Sequence, residues 1–345
     1  WGLMLTGRII GPPAGSTDDM QSVMSKMIAR AGEPVIRAAL RQAMKIMGFQ
    51  YVMGRDIREA MKRSREKENR AYRYSFDMLG EAALTVADAK RYFDAYANAI
   101  TEVGRLSDET GIFSAPSISV KLSALHPRYE YAQRTRVIDE LVPRVVHLAK
   151  LAREAGIALT MDAEEARRLD ISLDVFRAVY EDSALGDWEG FGLAVQAYLK
   201  RGIAVVDWIV ELARATRRRI PFRLVKGAYW DTEIKFAQEH GHASYPVFTR
   251  KISTDVSYLA CAKRLLAASD AVYPQFATHN ARTLATVLEM AGVDSGKKPK
   301  LEFQRLHGMG EELYEEVIGD DKLGVACRVY APVGAHKDLL PYLVR

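Results

Sequence analysis

Two hydrophobic rhythms divide the chain. Over the first seventy residues the apolar positions fall at helical spacing. Ser16-Thr17-Asp18-Asp19 forms a helix-start signal after Gly11-Pro12-Pro13, and Val35, Ala39, Leu40, Met44 and Met47 recur near the helical period behind Pro34. Residues 55–70 mix Arg, Lys, Glu and Asp densely, the pattern of a solvated helix face. From about residue 74 short β-rich runs alternate with longer amphipathic stretches. The runs are Ser75–Glu81, Ile118–Leu125, Ala158–Asp162, Phe191–Gln196, Pro221–Lys226, Ala271–Ala277, Leu301–Arg305 and Cys327–Tyr330. Segments such as Val137–Ala155 and Tyr198–Ala215 are long enough for helices between them. Eight strands alternating with helices predict an α/β fold of parallel βαβ units, and eight is the number that closes a (β/α)8 barrel. A doubly wound open sheet is the competing architecture. It would carry a phosphate-binding glycine motif early in the chain, and the sequence has none there.

The length of 345 residues suits one large barrel or two domains. With 48% hydrophobic and 27% charged residues, the chain has the composition of a folded protein rather than a disordered one. Its 49 basic against 44 acidic residues are too balanced for a nucleic-acid footprint, so no nucleic acid is expected through this domain. No uncharged apolar run approaches the roughly 18 residues of a membrane span. The two cysteines, Cys261 and Cys327, cannot form a disulfide framework, which favours a reducing compartment and a cytoplasmic location. The chain opens at Trp1 and stops at Arg345 within an apolar segment, so a piece of a longer protein is expected.

Standard motifs fail. Gly308-Met309-Gly310 begins a dinucleotide fingerprint, but Leu313 breaks it. Gly292 to Gly296-Lys297 is one residue short of a P-loop. His240 and His242 fall in a loop, where solvated histidines are common, and no metal site is expected. The strand ends are more informative, because barrel enzymes carry their functional side chains at the carboxyl ends of the strands. Those ends hold Glu81, Lys121, Asp162, Gln196, Arg223 with Lys226, His279 with Asn280, Arg305 with His307, and Arg328 with Tyr330. The set is rich in cations, which points to an anionic ligand such as a carboxylate or pyrophosphate. Plainer readings exist: Lys121 as a surface lysine, Asp162 as a helix cap, and His279-Asn280 as another. Arg223 lies between Phe222 and Leu224, so a strand would turn it away from them. Once buried, it would need an anionic partner. The segment from Arg223 to Trp230 combines two cations, a glycine and two aromatics, a composition suited to a planar, phosphate-bearing cofactor.

Several segments together resemble a known family. They are Ser119 to Pro127, Met161 to Glu165, Arg223 to Trp230, Ala277 to Asn280, Glu302 to Gly310 and Arg328 to Gly334, with Trp1 to Arg8 similar to the start of the same domain. These segments resemble the proline dehydrogenase domain of the bacterial bifunctional proline utilization flavoproteins. The resemblance spans essentially the whole chain. It implies a distorted (β/α)8 TIM-type barrel over residues 73–345, preceded by an N-terminal helical segment over 1–72. It implies non-covalent FAD, oxidation of L-proline to Δ1-pyrroline-5-carboxylate as the first step of proline catabolism, and ubiquinone as electron acceptor.

By the same resemblance, Lys121 and Arg345 grip the proline carboxylate and Asp162 sits by the amine. Leu306, Tyr330 and Tyr342 wall the proline ring, and Glu81 pairs with an arginine that follows Arg345 in the family. Arg223 lies by the hydride-accepting nitrogen and Gln196 bonds the ring system. Val225, Lys226, Gly227, Ala228, Tyr229, Trp230, Thr249, Lys251, Thr278, His279 and Asn280 hold the rest of the cofactor. The family continues past Arg345 into a last barrel helix, which is expected to be missing here. A covalently linked aldehyde dehydrogenase domain and peripheral contact with the inner face of the cytoplasmic membrane are also implied. Two rivals stand beside this reading. One is a Schiff-base lyase or aldolase working through Lys121 or Lys226, which needs a lysine of lowered pKa. The other is a non-catalytic scaffold.

Overall fold

The computed structural model describes residues 50–109, 111–293, 300–319 and 321–334, with the isolated positions 38 and 48. The chain separates into two compact units, 1–51 and 52–345, and the description below concerns the second. The helical signals at 16–19 and 34–47, together with Tyr342 and Arg345, lie outside the described residues.

The second unit is a closed barrel of eight parallel strands in sequential order. Helix α1 (Ile57–Ser64) precedes β1 (Arg73–Met78). There follow α2 (Val86–Leu106), β2 (Ser117–Val120), α3 (Arg134–Glu154), β3 (Ala158–Met161) and α4 (Leu169–Tyr180). Next come β4 (Phe191–Gln196), α5 (Gly202–Thr216), β5 (Ile220–Val225), α6 (Trp230–Glu239) and α7 (Lys251–Ala267). The circle ends with β6 (Val272–Ala277), α8 (Ala281–Ala291), β7 (Glu302–Leu306), α9 (Glu311–Glu315) and β8 (Ala326–Val333). Pairing of β1 with both β2 and β8 closes it, with Ser75 in register with Ser117 on one side and Tyr330 on the other.

The charged stretch at 55–70 forms α1, which is solvated on one face and buries Ile57, Ala60 and Met61 on the other. Its first turn is capped by Asp56, whose side chain accepts from the Glu59 amide. Thr85 and Asp88 close a reciprocal capping box at the start of α2. β2 stops well short of its predicted run, and β1 begins and ends earlier than its own. Residues Leu122–Leu125 form a single helical turn after β2, buried at every position. β1 ends at Met78 because the chain then turns through Gly80 and Ala82, both at positive φ.

Alternation along the strands sorts the core into two layers. Tyr74, Phe76, Ile118, Val120, Leu159, Phe222, Leu224, Phe276, Phe303 and Val329 are buried in the apolar core. Their neighbours face the lumen, and these are polar: Ser75, Asp77, Ser119, Arg223, Gln275, Glu302, Gln304 and Arg328. Barrel lumens are usually filled with branched aliphatic side chains. Here the filling is a hydrogen-bonded ionic network. At its amino end the Glu302 carboxylate is fully buried. It accepts from Arg328 Nε at 2.7 Å, Gln275 Nε2 at 2.9 Å, Gln304 Nε2 at 3.0 Å and Arg73 Nη1 at 3.2 Å. Burial alone would raise the Glu302 pKa, but the Arg328 and Arg73 guanidiniums and the Gln304 amide outweigh it and hold it below the usual value. Arg328 also donates to the carbonyls of Phe113, Ala115 and Tyr74.

Removing one partner of such a pair strands a buried charge, which costs about 3–5 kcal/mol. Glu302→Gln should therefore lower the denaturation midpoint by a corresponding amount at neutral pH. Because the folded pKa of Glu302 lies below its unfolded value, its contribution is present above the ordinary carboxyl range. It is lost as pH falls through the folded value, so variant and wild type should converge in acid. Equal midpoints at pH 7 would show that the network contributes nothing to stability.

Candidate active site

The upper lumen is organised around Arg223, 3% exposed on β5. Its Nη1 donates to Asp162 Oδ1 at 2.6 Å, Nη2 to Ser119 Oγ at 2.9 Å and Ser75 Oγ at 3.1 Å, and Nε to Gln304 Oε1 at 2.7 Å. One guanidinium thus ties together β1, β2, β5, β7 and the end of β3. Its ring-facing side lies 5.2 Å from the Tyr330 ring centroid, within cation–π range. The anionic partner that burial of this arginine demands is Asp162.

Lys121 follows β2 and turns inward. Its Nζ donates to Asp77 Oδ1 at 2.7 Å, to the Tyr330 hydroxyl at 3.1 Å and to Asp162 Oδ2 at 3.3 Å. An ammonium has three donors, so all are used. The Tyr330 hydroxyl in turn donates to Asp162 Oδ2 at 2.6 Å. Burial works against the charge of Lys121, yet the Asp77 carboxylate, the Tyr330 oxygen and the Asp162 carboxylate hold its pKa well above the ordinary lysine value. A Schiff-base lysine requires the opposite shift, which argues against an aldolase role for this residue. Burial raises the Tyr330 hydroxyl far above its usual range, so it stays protonated. Leu306, at the end of β7, is in register with Tyr330.

A second group of side chains collects above β4, β5 and β6. Gln196 spans the gap between two loops: Nε2 donates to the Glu164 carbonyl at 2.9 Å and Oε1 accepts from the Ala228 amide at 3.0 Å. After Val225 the chain passes Gly227 at φ +148°, where an added Cβ would meet the Tyr198 ring at 2.4 Å. Glycine is needed there for both reasons. Lys226 and Lys251 converge on the Asp255 carboxylate. Tyr229 is buried, whereas Trp230 donates through Nε1 to the Phe248 carbonyl at 3.0 Å and leaves its indole 42% exposed. Thr249 is exposed beside them.

Just after β6, the Thr278 hydroxyl accepts from the Asn280 amide at 3.1 Å, and Asn280 caps α8 by accepting from the Thr283 amide at 2.9 Å. His279 Nε2 accepts from the Leu306 amide at 2.9 Å. Burial, then the nearby Arg305 charge, lowers the His279 pKa, so the ring is neutral with its proton on Nδ1. Two lysines, an exposed indole and a glycine passage suit a planar ring system carrying phosphates, and the donor set fits a flavin nucleotide. Among the described residues no group of three His, Cys, Asp or Glu side chains is arranged to hold a metal.

The strand-end reading needs correction in places. Arg305 faces outward, against the Tyr72 ring at 4.5 Å, and not into the mouth. Arg328 lies at the amino end of the lumen, on Glu302. Glu81 sits three residues past β1 on the loop before α2, half buried. His240 stacks on Phe236 at 3.9 Å. Sequence reasoning missed Asp77, Ser75, Ser119 and Gln304. Their signal was a polar residue at every second position between Tyr74 and Phe76 or between Phe303 and its neighbours.

Known proteins match this chain over its whole length. The family profile described as Proline dehydrogenase matches residues 60–345. A second profile, described as the DNA-binding domain of Proline dehydrogenase, matches residues 1–51. Bifunctional protein PutA of Klebsiella aerogenes is 51% identical over 348 residues, covering 100% of this chain and 26% of that protein. Its counterpart in Rhizobium meliloti is 52% identical over 350 residues, covering 100% and 28%. The crystal structure of a mutant proline utilization A from Bradyrhizobium japonicum superposes with a TM-score of 0.81 at 53% identity, over 92% of this chain and 32% of that one. The chain thus spans about a quarter of the length of the curated relatives it matches. Family profile, identity and barrel together lead to one conclusion: the chain belongs to the proline dehydrogenase family.

Proposed function

We propose that this chain oxidises L-proline to Δ1-pyrroline-5-carboxylate on a non-covalently held FAD, as the first step of proline catabolism. The observation that carries the reading is the cluster of Lys121, Asp162, Arg223 and Tyr330 at the carboxyl ends of the strands, in a chain of this family. A flavin supplies the acceptor for the hydride that leaves the ring carbon next to nitrogen. The protein's own task is to fix that carbon in place and keep the amine unprotonated. In this reading Lys121 and Arg345 anchor the carboxylate, Asp162 serves the amine, and Leu306, Tyr330 and Tyr342 enclose the ring. Glu81 pairs with an arginine beyond Arg345. Arg223 and Gln196 attend the flavin ring. The residues from Val225 to Trp230, with Thr249, Lys251, Thr278, His279 and Asn280, hold its ribityl, phosphate and adenosine parts. Asp255 would release Lys226 and Lys251 to phosphate.

Electrons then pass to ubiquinone, and a fused aldehyde dehydrogenase domain would consume the product. Among the described residues no helix is long and apolar enough to cross a membrane. Contact with the cytoplasmic membrane is accordingly proposed as peripheral, for a cytoplasmic protein. The barrel itself is proposed to bind no nucleic acid, whereas residues 1–51 match a profile described as DNA-binding.

Denaturing the protein should release free FAD into the supernatant. Flavin retained on the precipitate, or FMN in solution, contradicts the cofactor assignment. Lys121→Met should lower kcat/KM for proline by roughly ten- to hundred-fold while flavin stays bound, the scale of one charge-assisted hydrogen bond to a carboxylate. Unchanged kinetics would remove Lys121 from the anchor. After anaerobic reduction by proline, a soluble ubiquinone analogue should restore the oxidised flavin spectrum. Persistent bleaching would exclude quinone as acceptor.

A further inference from the structure

The three contacts of Lys121 are not equivalent. All three of its N–H donors are occupied, so an incoming carboxylate can bind only by displacing one acceptor. Asp77 is 1% exposed on β1 and accepts from Lys121 at 2.7 Å through Oδ1, while its Oδ2 has no hydrogen-bond partner among the described residues. Asp162 accepts from Lys121 at the longer distance of 3.3 Å. It also accepts from Arg223 at 2.6 Å and from Tyr330 at 2.6 Å. If Lys121 left Asp162, that carboxylate would keep two strong donors. If it left Asp77, a fully buried carboxylate would lose its one hydrogen-bonded cation. The second loss is much the more costly.

We infer that Asp77 is a positioning residue that fixes the Lys121 ammonium, and that Asp162 is the exchangeable partner that yields its place to the substrate carboxylate. This rests on the reading of Lys121 as a carboxylate anchor. The exchange leaves Lys121 with three acceptors throughout and leaves Asp162 turned from a lysine-bound group into one held by Arg223 and Tyr330. It releases a carboxylate edge at the moment the substrate amine arrives. The charged and titratable groups facing Lys121 among the described residues are Asp77 from β1, Tyr96 from α2, Asp162 after β3 and Tyr330 from β8. Arg223 of β5 lies behind Asp162. Burial raises the pKa of the Asp77 carboxyl against the pull of Lys121, and Asp162 adds to the rise. Lys121 opposes that rise, and the Asp77 carboxylate in turn raises the Lys121 pKa.

The test is calorimetric binding of tetrahydro-2-furoic acid to the full-length protein as purified, cofactor included, between pH 7.0 and 9.5. The ligand has no amine, and its carboxylate is ionised throughout that range. Lys121 has a raised pKa, so wild-type affinity should be flat. Asp77→Asn keeps the shape of the side chain but removes its charge, which lowers the Lys121 pKa. Affinity should fall roughly tenfold at pH 7.5 and decline further as pH rises. A purely structural role for Asp77 would shift affinity without adding that alkaline decline. If Asp77→Asn matches wild type in affinity and pH dependence while Lys121→Met binds weakly, the inference about Asp77 is overturned and the anchor stands. If Lys121→Met binds as wild type does, the anchor reading itself fails. Should Asp77→Asn not fold, the wild-type profile still decides: a decline between pH 7.0 and 9.5 overturns the inference, and a flat profile supports it.

Discussion

Pairing of buried charge is the constraint on which this barrel depends. Four cations, Arg73, Lys121, Arg223 and Arg328, share the lumen with three carboxylates, Asp77, Asp162 and Glu302. Placing any of these side chains in a low-dielectric interior is unfavourable unless each meets a counter-charge and its remaining donors or acceptors are satisfied. The strands meet that requirement by register. Ser75, Ser119 and Gln304 take three further Arg223 donors, and Gln304 passes the connection down to Glu302. The network runs from the amino end of the barrel to its mouth without an apolar plug. The charges are also unequal. The extra cation, Arg73, lies on Glu302 at the amino end, whereas at the mouth Lys121 and Arg223 balance Asp77 and Asp162, so an incoming anion competes there with an internal carboxylate.

This arrangement links fold to chemistry. In the lower half, Arg328, Arg73, Gln275 and Gln304 direct donors at Glu302. The upper half contains the same residue types with a different balance, because Lys121 is shared between two carboxylates of unequal commitment. Preorganisation there means that the cations are already charged and aimed before substrate binds. The loop after β5 adds a separate device. Gly227 lets the backbone pass the Tyr198 ring, and Gln196 holds Ala228, so the cationic and aromatic side chains that follow are presented from a fixed support.

Much of the fold was legible in the sequence. Phe191–Gln196 is read to the residue, because a continuous apolar run ends in a polar one where the barrel mouth begins. The alternation around Arg223 foretold its burial and its need for an anion, although it could not say which anion. That partner, Asp162, was visible only as another strand end. Long-range pairs were invisible for a general reason: β1 and β8 are adjacent through barrel closure, and nothing local to either records it. Asp77 is hidden in the sequence because its run continues to a later polar residue, Glu81, beyond the turn at Gly80. Arg305 and Arg328 misled in the opposite sense. Each is a polar residue near a strand end, but the two-residue period turns Arg305 outward, and Arg328 enters its strand too early to reach the mouth.

In the proposed exchange, a buried ionic network held in place from below trades one internal carboxylate for that of the substrate. The most direct measurement is a crystal structure of the protein with tetrahydro-2-furoic acid bound. The ligand carboxylate is expected on Lys121 Nζ, with the Lys121–Asp77 contact intact and Asp162 withdrawn onto Arg223 and Tyr330. A ligand carboxylate bound away from Lys121, or an Asp77 side chain that has let go of the lysine, would contradict it.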